Sequence, residues 1–257
     1  MEKQLDGKVA IVTGATYGIG KAIADLFAAH GAKMILAARD ETKGVVALAD
    51  VRKKSDAIFI KTDVSKSSEV KKMVDEAINK FGRIDILVNN AGIAPQGTIL
   101  DTPEDVWDYT IDVNLKGVFL CCKQVIPHML RNHGGSIVNI GSINSLAAME
   151  NEAAYDASKG GVLMLTRAIA LDFAKSNIRA NCICPGAIET PLLTTQLKMA
   201  PDPEKVTRDL IGKHPVGRMG KPEEIAKVAL FLATDSSSFI TGTAIPVDGG
   251  ILAGWPS

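Results

Sequence analysis

Tyr155 and Lys159 stand four residues apart in EAAYDASKGGVLMLTRAIALDF, a segment with a helical pattern. That offset places a phenol and an ammonium on one face of one helix, close enough to interact. A phenol with pKa ~10 is a poor acid or base at neutral pH. A neighbouring cation stabilises the phenolate, and lowering its pKa by about three units takes roughly 4 kcal/mol of differential stabilisation. Ser142 lies upstream of the pair and adds a hydroxyl to the same chemistry. The bare Y-x-x-x-K spacing recurs by chance, so other features must stand with it.

One such feature is TGATYGIG, Thr13 to Gly20, between a β-branched apolar run and a helical pattern. A glycine-rich loop in that context can bring backbone and a helix N-terminus against a pyrophosphate. Gly14 permits the tight turn, and Gly18 and Gly20 remove side chains where the phosphates approach. Alone, the loop favours dinucleotide binding, with an ordinary glycine turn as the alternative.

Taken in order, TGATYGIG, NNAG (Asn89 to Gly92), Asn114, Ser142 in NIGS, YDASK and the PG pair Pro185 and Gly186 change the weighing. The combination resembles the short-chain dehydrogenases/reductases, and the likeness runs over essentially the whole chain, including HPVGRMGKPEEIA and ITGTAIPVDGG. The glycine spacing and length look like the compact oxidoreductase branch of that family. The resemblance implies a catalytic set of Asn114, Ser142, Tyr155 and Lys159. Tyr155 would be the acid or base, and Lys159 would lower its pKa and bind the nicotinamide ribose. Ser142 would hydrogen-bond the substrate oxygen, and Asn114 would hold a water leading from the lysine to solvent.

The resemblance also implies cofactor contacts. Gly14, Thr16, Tyr17, Gly18, Ile19 and Gly20 would form the phosphate loop. Asp63 and Val64 would meet the adenine, with capping of the following helix as the structural alternative for Asp63. Asn90, Ala91 and Gly92 would pass the adenosine ribose, whereas Asn89 would brace strands. Beyond Pro185 and Gly186, Ile188 and Thr190 would meet the carboxamide. Ala38 stands where relatives that prefer NAD place an acid, and Arg39 follows where relatives that prefer NADP place a base. An arginine fork favours a 2′-phosphate. Tyr17 replaces the second basic residue of many such loops. NADP(H) is therefore expected, with NAD(H) possible.

The substrate wall is expected to include Ser142, Ile143, Asn144, Asn151, Glu152 and Leu192, a polar mixture suited to a polyol, sugar or other polar ketone. 3-Oxoacyl-carrier-protein reductases look similar throughout, so an acyl-thioester substrate stays open. A non-catalytic cofactor-binding protein conflicts with the intact catalytic set. An isomerase or lyase on the same fold is disfavoured by glycine spacing and length.

These residues need a scaffold. Seven apolar strand-like runs, from KVAIVT to TAIPVDG, alternate with amphipathic segments over all 257 residues. Near-continuous apolar strands are those of a sheet covered on both faces. The expected fold is α/β: one Rossmann-type, doubly wound parallel sheet of about seven strands, in a single domain over 1–257. Only 187–222, polar and proline-rich with one amphipathic piece, LLTTQLKM, breaks the rhythm, and it is expected to be a substrate lid.

Lys plus Arg equals Asp plus Glu at 29 each, which gives no field for nucleic acid or anionic membrane. No apolar run reaches the ~20 residues of a membrane span, and a cytoplasmic protein is expected. Cys121, Cys122, Cys182 and Cys184 lack metal-ligand spacing, so no metal is expected and the thiols are read as core. None of the four histidines has a partner that points to catalysis. Family likeness implies a homotetramer, and the apolar segment GGVLMLTRAIALDF and Trp255 in the tail are candidates for subunit contacts.

Overall fold

A computed structural model describes residues 3–254. Trp255 lies outside them. The strands are β1 (Val9–Thr13), β2 (Lys33–Ala38), β3 (Ala57–Lys61), β4 (Ile86–Asn89), β5 (Gly135–Ile140), β6 (Ile178–Pro185) and β7 (Ala244–Val247). All pair in parallel, in the order β3-β2-β1-β4-β5-β6-β7. The order reverses between β1 and β4. In such sheets ligands bind beyond the carboxyl ends of the strands at this point.

Alternation of side chains along each strand divides the core in two. Val9 and Ile11 of β1 join Ile35 and Ala37 of β2 on one face. Ala10 and Val12 join Met34 and Leu36 on the other. The first face is covered by α3 (Ser67–Phe81), α5 (Gly117–Arg131) and α6 (Ala153–Phe173). The second is covered by α1 (Gly18–Ala29), α2 (Glu41–Arg52) and α9 (Pro222–Ala233). Each fully buried aliphatic or aromatic side chain, such as Phe27 of α1 or Met129 of α5, contributes roughly 2 kcal/mol. All four cysteines are free and buried, as the reading of them as core residues anticipates.

The long segment from Glu104 to Arg131 is not one regular helix. It runs as α4 (Glu104–Ile111), a π-helical turn (Asp112–Lys116) and α5. The proline-rich excursion forms α7 (Pro191–Met199) and α8 (Pro203–Gly212), so it holds two helices rather than one amphipathic piece. Each begins at a cap followed by proline. Thr190 Oγ1 accepts from Leu193 N at 3.3 Å, and Asp202 Oδ1 accepts from Lys205 N at 3.0 Å. The two ends of the excursion meet at its base: Gly220 N donates to Ala187 O at 2.9 Å and Glu189 N donates to Gly220 O at 2.8 Å. No described helix is long and apolar enough to cross a membrane.

Candidate active site

A large cleft opens at the carboxyl ends of the strands and collects most of the residues singled out above. The glycine loop contributes Gly14, Tyr17, Gly18 and Ile19, and the end of β4 contributes Asn90, Ala91 and Gly92. Ser142, Asn144, Glu152, Tyr155 and Lys159 form the middle, with Pro185, Gly186, Ile188, Thr190 and Leu192 beyond them. A second cavity adjoins it and is lined by Thr16, Arg39, Asp63 and Val64.

The loop is shaped to accept phosphate. Gly14 and Gly18 adopt left-handed backbone at φ +64° and +57°, a region that penalises any Cβ. Tyr17 starts α1 with extended backbone, supplies no side-chain cap, and no acid occupies the first turn. The first N–H groups of α1 and its positive dipole end therefore face the cleft. These residues fit the pyrophosphate of a dinucleotide. Gly20 does not line either cavity. A Cβ there would lie 2.5 Å from Asn90 Nδ2, so this glycine lets α1 close onto the loop and does not clear the phosphates. Asn90 braces that packing, its amide donating to Thr13 O at 3.0 Å and Gly14 O at 3.1 Å. Asn89 is a brace as expected, donating to Asn139 Oδ1 at 2.8 Å between β4 and β5.

Tyr155 and Lys159 share the cleft-facing side of α6, with the ammonium 5.5 Å from the phenol ring centroid. Lys159 is 5% exposed and donates to Ile140 O at 2.8 Å. Burial pushes this amine down to about 8. Burial likewise pushes Tyr155 up to about 12, opposed by a hydrogen bond with the Ser142 hydroxyl. Both shifts disfavour a phenolate–ammonium pair in the protein by itself. Desolvation is the largest cause of both shifts, so the lysine without a bound cationic ring does not bring the phenol towards the neutral range. The phenol is only half-buried and opens to the cleft, where a bound cationic ring would restore the balance.

Ser142 lies at the start of a short 3₁₀ turn, and its hydroxyl donates to Asn144 Oδ1 at 2.9 Å. The Asn144 amide in turn donates to Glu152 Oε2 at 2.7 Å and Asp156 Oδ1 at 2.6 Å. Asn144, itself held by two carboxylates, thus orients Ser142. Desolvation raises the Glu152 carboxyl above its usual range. Asn114, 1% exposed in the π turn, accepts from Ile93 N at 2.9 Å and donates to Ile93 O and Ser158 Oγ. It ties the loop after β4 to α6 and does not line the cleft.

Two further expectations change. Asn151 is exposed with φ +60° and takes no part in the cleft lining; the turn into α6 carries it away from the cavity. Asp63 does not cap α3, whose N-cap is Lys66; its Oδ1 accepts from Ser65 N and Ser65 Oγ at 3.0 and 2.7 Å.

The structure also adds residues to the site. Lys43 lines the second cavity, its ammonium 5.4 Å from the Tyr17 ring centroid and 3.3 Å from Asp40 Oδ2. Its place in the first turn of α2, four residues after Arg39, was the available signal. Arg39 Nη1 donates to the Tyr109 hydroxyl. Gln196 of α7 reaches across the cleft to Ala94 O at 2.7 Å. His214 lines the cleft with both ring nitrogens engaged.

Residues 14–252 match the family model described as enoyl-(acyl carrier protein) reductase. A 3-oxoacyl-[acyl-carrier-protein] reductase FabG of Thermotoga maritima is 42% identical over 97% of this chain and 99% of its own. The dehydrogenase/reductase SDR family member 6 of Danio rerio is 38% identical over 96% of this chain and 98% of its own. The crystal structure of levodione reductase superposes with a TM-score of 0.95 at 33% identity, covering 98% of this chain and 100% of that one. The fold, the cleft and these likenesses agree on an oxidoreductase that acts on CH–OH and carbonyl groups with a nicotinamide dinucleotide: the chain belongs to the short-chain dehydrogenase/reductase family.

Proposed function

We propose that the protein interconverts a neutral secondary alcohol and its ketone, with Tyr155 as the acid or base and NADP(H) as the preferred cofactor. The observation that carries this reading is the meeting of Ser142, Tyr155 and Lys159 with the glycine loop in one cleft. The cofactor, when bound, supplies or accepts the hydride. The chain's residues do the rest. The loop and the α1 N-terminus hold the phosphates. Ile188 and Thr190 would hold the carboxamide, while Ala91, Gly92, Asp63 and Val64 would border the adenosine half.

In ketone reduction the Tyr155 hydroxyl gives its proton to the carbonyl oxygen, while Ser142 donates a hydrogen bond to the same oxygen. In alcohol oxidation the same proton returns to Tyr155. The Lys159 ammonium stabilises phenolate from below and replenishes protons through a water held beside Asn114.

The preference for NADP(H) is supported by Arg39 and Lys43 in the cavity that also holds Ala38, with no acid at position 38 to repel a 2′-phosphate. NAD(H) is the secondary cofactor. At the substrate end Glu152 supports a hydroxylated ketone or polyol, because an ionised carboxylate accepts hydrogen bonds and repels anions. The relation to a 3-oxoacyl-carrier-protein reductase supports a second reading, a 3-oxoacyl thioester. Exposed apolar side chains on the outer sides of α5 and α6, Phe119, Met164 and Leu171 among them, support a homotetramer built on these helices. A cytoplasmic location accords with the same reading.

The deciding experiment follows nicotinamide absorbance over a panel of sugars, polyols, cyclic ketones and 3-oxoacyl thioesters, with both cofactors. Tyr155→Phe should abolish turnover and leave cofactor affinity within about threefold. Unchanged turnover in that variant would refute the assigned role.

A further inference from the structure

His214 connects the end of the lid to the turn after β6, 27 residues earlier in the sequence. Its side chain is 3% exposed. Nδ1 lies 2.8 Å from Leu210 O, in the last turn of α8, and Ala187 N donates to Nε2 at 3.1 Å. A carbonyl only accepts and an amide N–H only donates, so the ring is neutral with its proton on Nδ1. A Cβ on Gly186 would lie 2.9 Å from Nε2. Glycine at 186 is thus what lets the imidazole reach the turn. Ala187 O is already taken by Gly220 N, so the ring satisfies the remaining backbone polar group of that residue.

We propose that His214 is a positioning residue for the nicotinamide half of the cofactor, locking the Gly186–Ile188 backbone to α8 of the lid. The inference rests on the reading that the nicotinamide lies against this turn. Gly186, Ala187, Ile188 and Leu210 all border the same cleft as Tyr155. With the ring in place, the end of β6 and the far half of the lid move as one piece, and the reacting ring meets a fixed wall. Without it, the Ala187 N–H has no partner, and the turn, held only by the pairings of Gly186, Ala187 and Glu189 with Val247 and Gly220, can tilt that N–H towards water, away from the geometry hydride transfer requires.

Two substitutions separate the two bonds in the full-length protein. His214→Asn keeps an amide N–H near the Nδ1 position, and so keeps the bond to Leu210 while losing the one to Ala187. His214→Gln keeps an oxygen near the Nε2 position, and so keeps the bond to Ala187. Calorimetric titration with NADPH and with 2′-phospho-ADP-ribose, which lacks nicotinamide, is read beside KM and kcat.

His214→Asn is expected to weaken NADPH binding on the order of tenfold and to lower kcat, with the ribose fragment bound as before. His214→Gln should stay within about threefold of the parent in all of these. Equal losses in both variants, or equal weakening of fragment and full cofactor, would mean a merely structural histidine and overturn the proposal, as would no change in either. If His214→Asn does not fold, His214→Leu, which removes both bonds at similar volume, must show the selective loss of NADPH over the fragment or the proposal falls. A parent chain that binds neither NADPH nor the fragment refutes the cofactor reading itself, a result distinct from failure of the His214 role.

Discussion

Replacing Lys159 by methionine should make the protein more stable at neutral pH as it destroys activity, and the size of the effect follows from burial. The folded protein holds this amine at about 8 against an ordinary 10.5. The folded state thus binds the proton less tightly than the unfolded chain does. A lysine depressed in this way carries a penalty that is full below the folded value and disappears as pH climbs through the unfolded one. At pH 7 the penalty is about 3 kcal/mol, and roughly 2 kcal/mol of it is relieved by about pH 9.5. Methionine has similar volume and no charge to desolvate. It also leaves Ile140 O without its donor, at a cost of about 1–3 kcal/mol that does not vary with pH.

The slope therefore isolates the ionisation from the lost hydrogen bond. Urea unfolding of wild type and Lys159→Met, at one protein concentration and at both pH values, gives two stability differences. Wild type should gain roughly 2 kcal/mol on the variant between them. Parallel pH curves would mean that the ammonium is adequately solvated in the folded state, and the argument from burial would be wrong.

Three further outcomes are expected. Gly20→Ala forces a methyl against Asn90 and the Gly14 carbonyl; overpacking should cost about 1–3 kcal/mol in thermal or urea unfolding and weaken cofactor binding measured by titration. Lys43→Ala should weaken 2′,5′-ADP severalfold and leave 5′-AMP unaffected, in line with loss of about 0.5–1 kcal/mol from a solvent-exposed cation; equal effects on both nucleotides would remove Lys43 from the 2′-phosphate site. Desolvation raises Glu152, so KM for a hydroxylated substrate should climb on acidification before a free glutamate would begin to protonate. Glu152→Gln should flatten that dependence, and an unchanged profile would show that no substrate hydroxyl meets the carboxylate.

What was legible in the sequence was what rests on local pattern. The apolar runs marked all seven strands, because strands covered on both faces must be apolar on both sides. Tyr155 and Lys159 were legible because one helix carries both, so their separation in sequence is their separation in space. The π turn at Asp112–Lys116 was hidden, since one inserted residue shifts the apolar periodicity too little to break an amphipathic reading. The second lid helix was signalled by the Asp202–Pro203 start but obscured by its surface character, with no buried residue along it. The histidine's place was beyond reach. It depends on a turn 27 residues away and on a glycine there, a distance no periodicity encodes. Gly20 was correctly marked as special for the wrong neighbour, because a glycine signals close approach without saying what approaches.

The pairing of Ala187 with Gly220 carries a consequence for how such a protein can change over time. The chain between these residues leaves and re-enters the fold at one hydrogen-bonded base, with side ties from Gln196 to Ala94 and from Val216 to Gly249. Replacing the intervening helices with others of different length would not disturb the register of β6 or the seating of α9. Closing a longer loop adds only a logarithmic entropy cost, about 0.6 kcal/mol for each doubling. Substrate preference can therefore be exchanged as a cassette over a constant reaction centre, provided the new segment still brings an acceptor to Ala187 where it returns.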